Sequence, residues 1–122
     1  MAIYKNRIDL HMHTRSSFDG NYSATEMTES AIAHELATIA FTDHFDVDFY
    51  ERHNLGVRQQ TSYEDICSVI EKFSDKIRIL RGIEMGQPTY DPELTEKSLE
   101  RYEYDFVIGS IHNLRKTLYC CC

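Results

Sequence analysis

Four short apolar runs recur along this chain, at residues 8–14, 38–42, 77–84 and 104–112, and each ends in polar, chemically versatile side chains. Their length and their β-branched and aromatic content predict strands. Helix signals lie between them. Ser23-Ala24-Thr25-Glu26 and Thr61-Ser62-Tyr63-Glu64 have the capping-box pattern, and Asp91-Pro92 sets a capping side chain ahead of a proline in the first turn. The first box predicts a helix running to about Leu36. The second precedes an apolar face made of Tyr63, Ile66, Cys67, Ile70 and Phe73, on which Cys67 reads as a small core residue. Residues 45–60 show no clear period and predict a long loop. The order βαβαβαβ restricts the fold to the α/β class, with a parallel sheet and right-handed crossovers.

In parallel α/β folds, functional groups collect at the C-terminal ends of the strands. The first run here ends in His11 and His13, the second in Asp43 and His44, the third in Glu84 and the fourth in His112. Asp19 follows in the polar loop after the first run. Strand alternation sets Asp9, His11 and His13 on one face and Ile8, Leu10 and Met12 on the other. Two imidazoles two residues apart on a strand can reach one ion, whereas on a helix they would diverge. Mixed imidazole and carboxylate ligands suit zinc, manganese or iron(II), and a carboxylate can bridge two ions. Such clusters activate water and clamp an oxyanion or a phosphoryl group. Asp43 is either a ligand or a group that orients His44 or caps the following turn. His34 and His53 lie away from the strand ends and are expected to face solvent.

The charge balance narrows the function classes. With 20 acidic against 13 basic residues and a net charge of -7, a general nucleic-acid surface is not expected. No apolar run approaches the ~20 residues of a membrane span. The first residues lack the apolar core of a signal peptide, so a cytoplasmic location is expected. The four cysteines form no Cys-x-x-Cys pair, which argues against a thiolate zinc knuckle. Three of them, Cys120, Cys121 and Cys122, close an atypical tail over residues 113–122.

His11-Met12-His13-Thr14, Phe41-Thr42-Asp43-His44, Gly82-Ile83-Glu84-Met85 and Ile108-Gly109-Ser110-Ile111-His112 resemble the first four motifs of the PHP (polymerase and histidinol phosphatase) metallophosphoesterases. With Asp19-Gly20 they are most similar to the histidinol-phosphatases of that superfamily. The resemblance covers residues 8–112 and implies a distorted seven-stranded, TIM-like β/α barrel with a three-metal site at its rim. Residues 1–122 would be an incomplete PHP domain, the first half of that barrel. The resemblance also implies that His11 and His13 hold one metal, that Glu84 bridges it to a second served by His112, and that Asp19 and His44 serve a third. The activity implied is histidinol-phosphatase, the hydrolysis of a small phosphorylated substrate in histidine biosynthesis, with zinc, manganese or iron as the ions. The family's later motifs, a further histidine and a closing Asp-x-His pair, have no counterpart here. Poor stability, self-association through exposed half-barrel edges and little or no phosphatase activity are therefore expected, and a non-catalytic remnant stays an alternative. Amidohydrolases also carry His-x-His on a first strand. They usually want a lysine where His112 stands.

Overall fold

β4 (Arg78–Gly86) is the strand on which the sheet is built. A computed structural model describes residues 6–114 and 117–118; Cys120, Cys121 and Cys122 lie outside the described residues. β1 (Ile8–Met12) pairs in parallel with β2 (Thr38–Phe41), and β2 pairs with the first half of β4. β3 (His44–Asp46) pairs with the second half, in the register His44↔Glu84. Phe41↔Arg81 and His44↔Glu84 keep the same offset along β4. β2 and β3 are therefore two segments of one strand line, interrupted at Thr42 and Asp43. β5 (Phe106–Ser110) pairs in parallel with β4 on its other side. β6 (Asn113–Leu114) and β7 (Thr117–Leu118) pair antiparallel apart from this sheet. Helices connect the parallel strands, and the whole is a parallel-strand half-barrel.

α1 (Ala24–Ala33) starts at the predicted capping box: the Ser23 hydroxyl accepts from Glu26 N, and the Glu26 carboxylate accepts from Ser23 N. It ends earlier than Leu36 because Glu35 takes a left-handed backbone, with φ 59°. α3 (Pro92–Glu100) begins as expected, with the Asp91 side chain accepting from Leu94 N at 3.0 Å. α2 (Leu55–Phe73) is the main departure. It begins inside the stretch expected to be loop, and the Thr61–Glu64 pattern lies within it. Its buried stripe is Leu55, Gln59, Ser62, Ile66, Val69 and Phe73. Two polar members make the stripe hard to see in the sequence. Gln59 donates to Ser98 O at 2.8 Å and to the Tyr104 hydroxyl at 2.9 Å, tying α2 to α3 and the approach to β5. Cys67 is half-buried beside this stripe, not within it. Among the described residues no helix is long and apolar enough to cross a membrane.

Two apolar clusters fill the helix side of the sheet. Ile39, Phe41, Ile66, Val69, Phe73, Ile77 and Ile79 form one with Ala24 and Ala31 of α1. Phe45, Val47, Leu55, Ile83 and Met85 form the other, toward α3. Their burial removes apolar surface from water, the main favourable term in folding. The strand ends are thereby left on the opposite, polar side.

Candidate metal centre

β1 does not alternate as expected. One extra residue between Asp9 and Met12 shifts its register against β2, and His11 N donates to the Asp9 carboxylate at 3.2 Å. This bulge turns Asp9 away from the histidines. Asp9 borders a groove against α1 together with Met12, which packs on the core. Ile8 is exposed instead of buried. His11 and His13 still converge on one group, the Glu84 carboxylate.

Glu84 is buried in β4 and lies where the strand ends meet. His11 Nε2 is 3.0 Å and His13 Nε2 2.8 Å from its Oε2. His44 Nδ1 is 3.6 Å from the same oxygen, and His112 Nε2 is 3.0 Å from Oε1. The Ser110 hydroxyl donates to Oε1 at 2.8 Å. Asp19 reaches in from the loop after β1, 2.9 Å from His13 Nδ1 and 3.2 Å from His44 Nε2. Gly20 lets that loop close, since a side chain there would run into the Thr14 carbonyl. The six residues singled out in the sequence, His11, His13, Asp19, His44, Glu84 and His112, are therefore neighbours.

A further member, Asp46, was not anticipated. Its carboxylate is 3.2 Å from His44 Nδ1 and also contacts His112 Nδ1. The signal was present: His44-Phe45-Asp46 has the same two-residue spacing on a strand as His11-Met12-His13. Gly86 makes room for this contact, because a β-carbon there would collide with the Asp46 carboxylate.

Among the described residues the donor atoms fall into three sets that could each hold a metal ion: His11, His13 and Glu84; His13, Asp19 and His44; and His44, Asp46 and His112. Within each set the atoms lie within 4.8 Å of one another. His13 Nε2 and His44 Nδ1 are buried without a well-directed hydrogen bond. Buried polar atoms are normally satisfied, so this crowding of four imidazoles and three carboxylates fits cations better than a network of hydrogen bonds. His34 is exposed, as expected. His53 is not: it is half-buried, stacked on Phe49 with ring centroids 5.0 Å apart.

Asp43 resolves into an anchor. Its Oδ1 accepts from Thr14 N at 2.6 Å and from the Ser17 hydroxyl at 2.7 Å. Its Oδ2 accepts from the hydroxyls of Thr14 at 2.8 Å and Ser62 at 2.5 Å. It makes no bond to the His44 ring. The Ser17 hydroxyl accepts from His44 N at 2.9 Å, so Asp43 places His44 through the loop. Asp43→Asn puts an amide NH2 among these donors. It is expected to lower stability by about 2–3 kcal/mol, as for hydrogen bonds to a buried charge. Urea unfolding checks this, and an unchanged midpoint would refute the anchoring role.

Burial alone would raise the pKa of Asp19, Asp46 and Glu84. The facing imidazoles outweigh it and hold all three below the ordinary carboxylate range, Glu84 with help from Ser110. Burial alone would lower His13 and His44. Glu84 and Asp19 beside the first, and Asp46 and Glu84 beside the second, hold both above the usual imidazole value. The carboxylates thus stabilise the metal-free fold above their unfolded values, near pH 4, and lose that contribution as pH falls through their folded ones. The two histidines stabilise it below about pH 6.5 and lose their contribution as pH rises through their folded values. Urea unfolding of the metal-free chain is expected to show maximal stability between these limits and a decline toward pH 8. Stability that rises steadily from pH 6 to 8 would contradict the pairing.

A family model described as "PHP domain" matches residues 9–120. The chain belongs to the PHP domain family. A histidinol-phosphatase of Lactococcus lactis is 29% identical to this PHP chain over 108 residues, covering 88% of the chain and 40% of the relative. A probable histidinol-phosphatase of Clostridium acetobutylicum is 28% identical over 119 residues, covering 91% and 44%. The crystal structure of histidinol phosphate phosphatase from Lactococcus lactis, complexed with zinc, L-histidinol and phosphate, superposes with a TM-score of 0.78 at 30% identity. That match covers 92% of this PHP chain and 42% of the solved one. The chain spans about two fifths of the length of these relatives.

Proposed function

We propose that this PHP chain carries the metal-holding part of a phosphoric monoester hydrolase acting on histidinol phosphate, giving L-histidinol and phosphate. The observation that carries the proposal is the Glu84 carboxylate, met by His11, His13, His44 and His112 from successive strand ends. The zinc, L-histidinol and phosphate of the solved relative supply the substrate and ion class. His11, His13 and Glu84 would hold one ion, His13, Asp19 and His44 a second, and His44, Asp46 and His112 a third; zinc, manganese and iron(II) all suit these donors. Bound divalent ions supply positive charge to phosphoryl oxygens and lower the pKa of water. The chain's own part is to hold three carboxylates ionised and four imidazoles converged, with Glu84 fixed by Ser110 and the Asp19 loop fixed by Asp43.

Metal analysis of wild type against His11→Ala/His13→Ala tests the site, and equal metal content would end the proposal. The substrate is tested separately. Histidinol phosphate with zinc or manganese is expected to bind wild type and release phosphate slowly, with both effects lost in His13→Ala. Metal binding with neither effect would favour a second reading, a metal-binding chain without turnover. The sheet edges left unpaired among the described residues give that reading its support.

A further inference from the structure

His112, like His13, lies in no strand or helix, and its aim needs a cause. It follows β5, which ends at Ser110, and precedes the short β6. Gln87, directly after β4, meets this turn from below. Gln87 is 2% exposed, and every polar group it has is used. Its side-chain Oε1 accepts from His112 N at 2.5 Å and from Asn113 N at 3.2 Å, and its Nε2 donates to Asn113 O at 3.0 Å. Its backbone N donates to Ser110 O at 2.9 Å, and its carbonyl accepts from Tyr90 N at 3.0 Å. The side-chain amide thus pairs with Asn113 as a neighbouring strand would, although β4 has already ended. Asn113 in turn donates to Asp48 at 2.7 Å. Gln87 has a left-handed backbone, φ 55°, which glycine or asparagine adopts more readily. A glutamine there is explained by its side chain, not by its backbone.

We propose that Gln87 is a positioning residue of the metal centre: its amide fixes the 110–113 backbone so that one ring nitrogen of His112 faces Asp46 and the other faces Glu84. The consequence for ion affinity rests on the metal-dependent function proposed above, whereas the positioning itself belongs to the metal-free chain. Without the amide, His112 N and the Asn113 peptide lose their partners in a buried place. The turn would then be free to rotate the ring out of register with both carboxylates. Gln87→Asn is the informative substitution. It tolerates the left-handed backbone and keeps an amide, but is one methylene too short to reach Asn113. Gln87→Met keeps the length and removes the hydrogen bonds.

Two measurements decide the matter. In metal-free protein with 15N-labelled histidine, with His112→Gln used for assignment, the wild-type His112 ring is expected to give a single sharp set of signals from one fixed orientation between Asp46 and Glu84. Gln87→Asn is expected to broaden or displace that set while the other histidine signals keep their positions. In competitive zinc titration, both Gln87 variants are expected to weaken the binding that His112→Gln also weakens, by about tenfold or more, as for residues that orient metal ligands. A variant that is merely less stable, with wild-type His112 shifts and zinc affinity in its folded fraction, would overturn the proposal. If Gln87→Met does not fold, Gln87→Asn decides alone. If wild-type chain binds no zinc, the functional reading fails, and the ring shifts still decide the positioning.

Discussion

Glu84→Gln is expected to strip metal from this PHP chain while leaving a folded protein, with affinity falling by more than the ~10–100-fold typical of partners that only orient ligands. The buried Glu84 carboxylate lies within 3.6 Å of four imidazoles. Its Oε2 belongs to the His11 and His13 set, and its Oε1 faces His112 and Ser110. A carboxylate so placed can give charge to two ions at once. The amide keeps the shape but removes the charge, and its NH2 cannot ligate. Asp43→Asn is the matched control, one buried acid for another in the same region. There the stability loss should dominate, because Asp43 touches Thr14, Ser17 and Ser62 and no imidazole ring. Metal content and urea midpoints measured on both variants should therefore dissociate in opposite directions. Similar metal losses in the two would contradict the roles assigned to them.

Whether the sequence could show a feature depended on the range of the contacts behind it. The strand ends were legible because each is local: an apolar run followed by His, Asp or Glu. Their convergence followed from parallel topology, and it brought His11, His13, Asp19, His44, Glu84 and His112 together. Asp46 was missed because residues 45–60 looked aperiodic as a whole, which hid the His44–Asp46 alternation of a three-residue strand. The start of α2 was missed for a related reason. Its N-cap, Asn54, uses a left-handed backbone with no side-chain cap, whereas Thr61 and Glu64 mimic a cap inside the helix. Asp43 could not be resolved from sequence at all. Its partners lie 19 to 29 residues away, and no local pattern distinguishes an anchor from a ligand. The bulge in β1 belongs to the same class: alternation predicts Asp9 beside the histidines, and pairing with β2 turns it toward α1 instead.

The 122-residue chain is expected to self-associate in solution, and this should be its most conspicuous behaviour during purification. Among the described residues β1 and β5 each pair on one side only. An edge strand presents unpaired N–H and C=O groups to any other strand. These edges are also apolar: Ile8 is 58% exposed on β1, Val107 47% on β5, and Ile111 73% just beyond it. Beside β1, Tyr22, Met12, Met27 and Leu36 border the groove against α1. Contiguous apolar surface next to an open edge favours association over a solvated monomer. Size-exclusion chromatography with light scattering, from dilute to concentrated protein, should show the mean mass rising above that of one chain. Ile8→Lys and Val107→Lys place a charge on each edge, the device natural sheets use against strand addition, and together they should return the chain to monomer. A wild-type chain that stays monomeric at the highest concentration would sink the prediction. A double variant that still associates would move the contact away from the edges. The metal centre makes the outcome matter for activity, because the half-exposed His11 stands at the β1 edge, where a second copy would add. Phosphate release from histidinol phosphate should therefore be compared between the associated wild type and the monomeric double variant, with His13→Ala as the background for both.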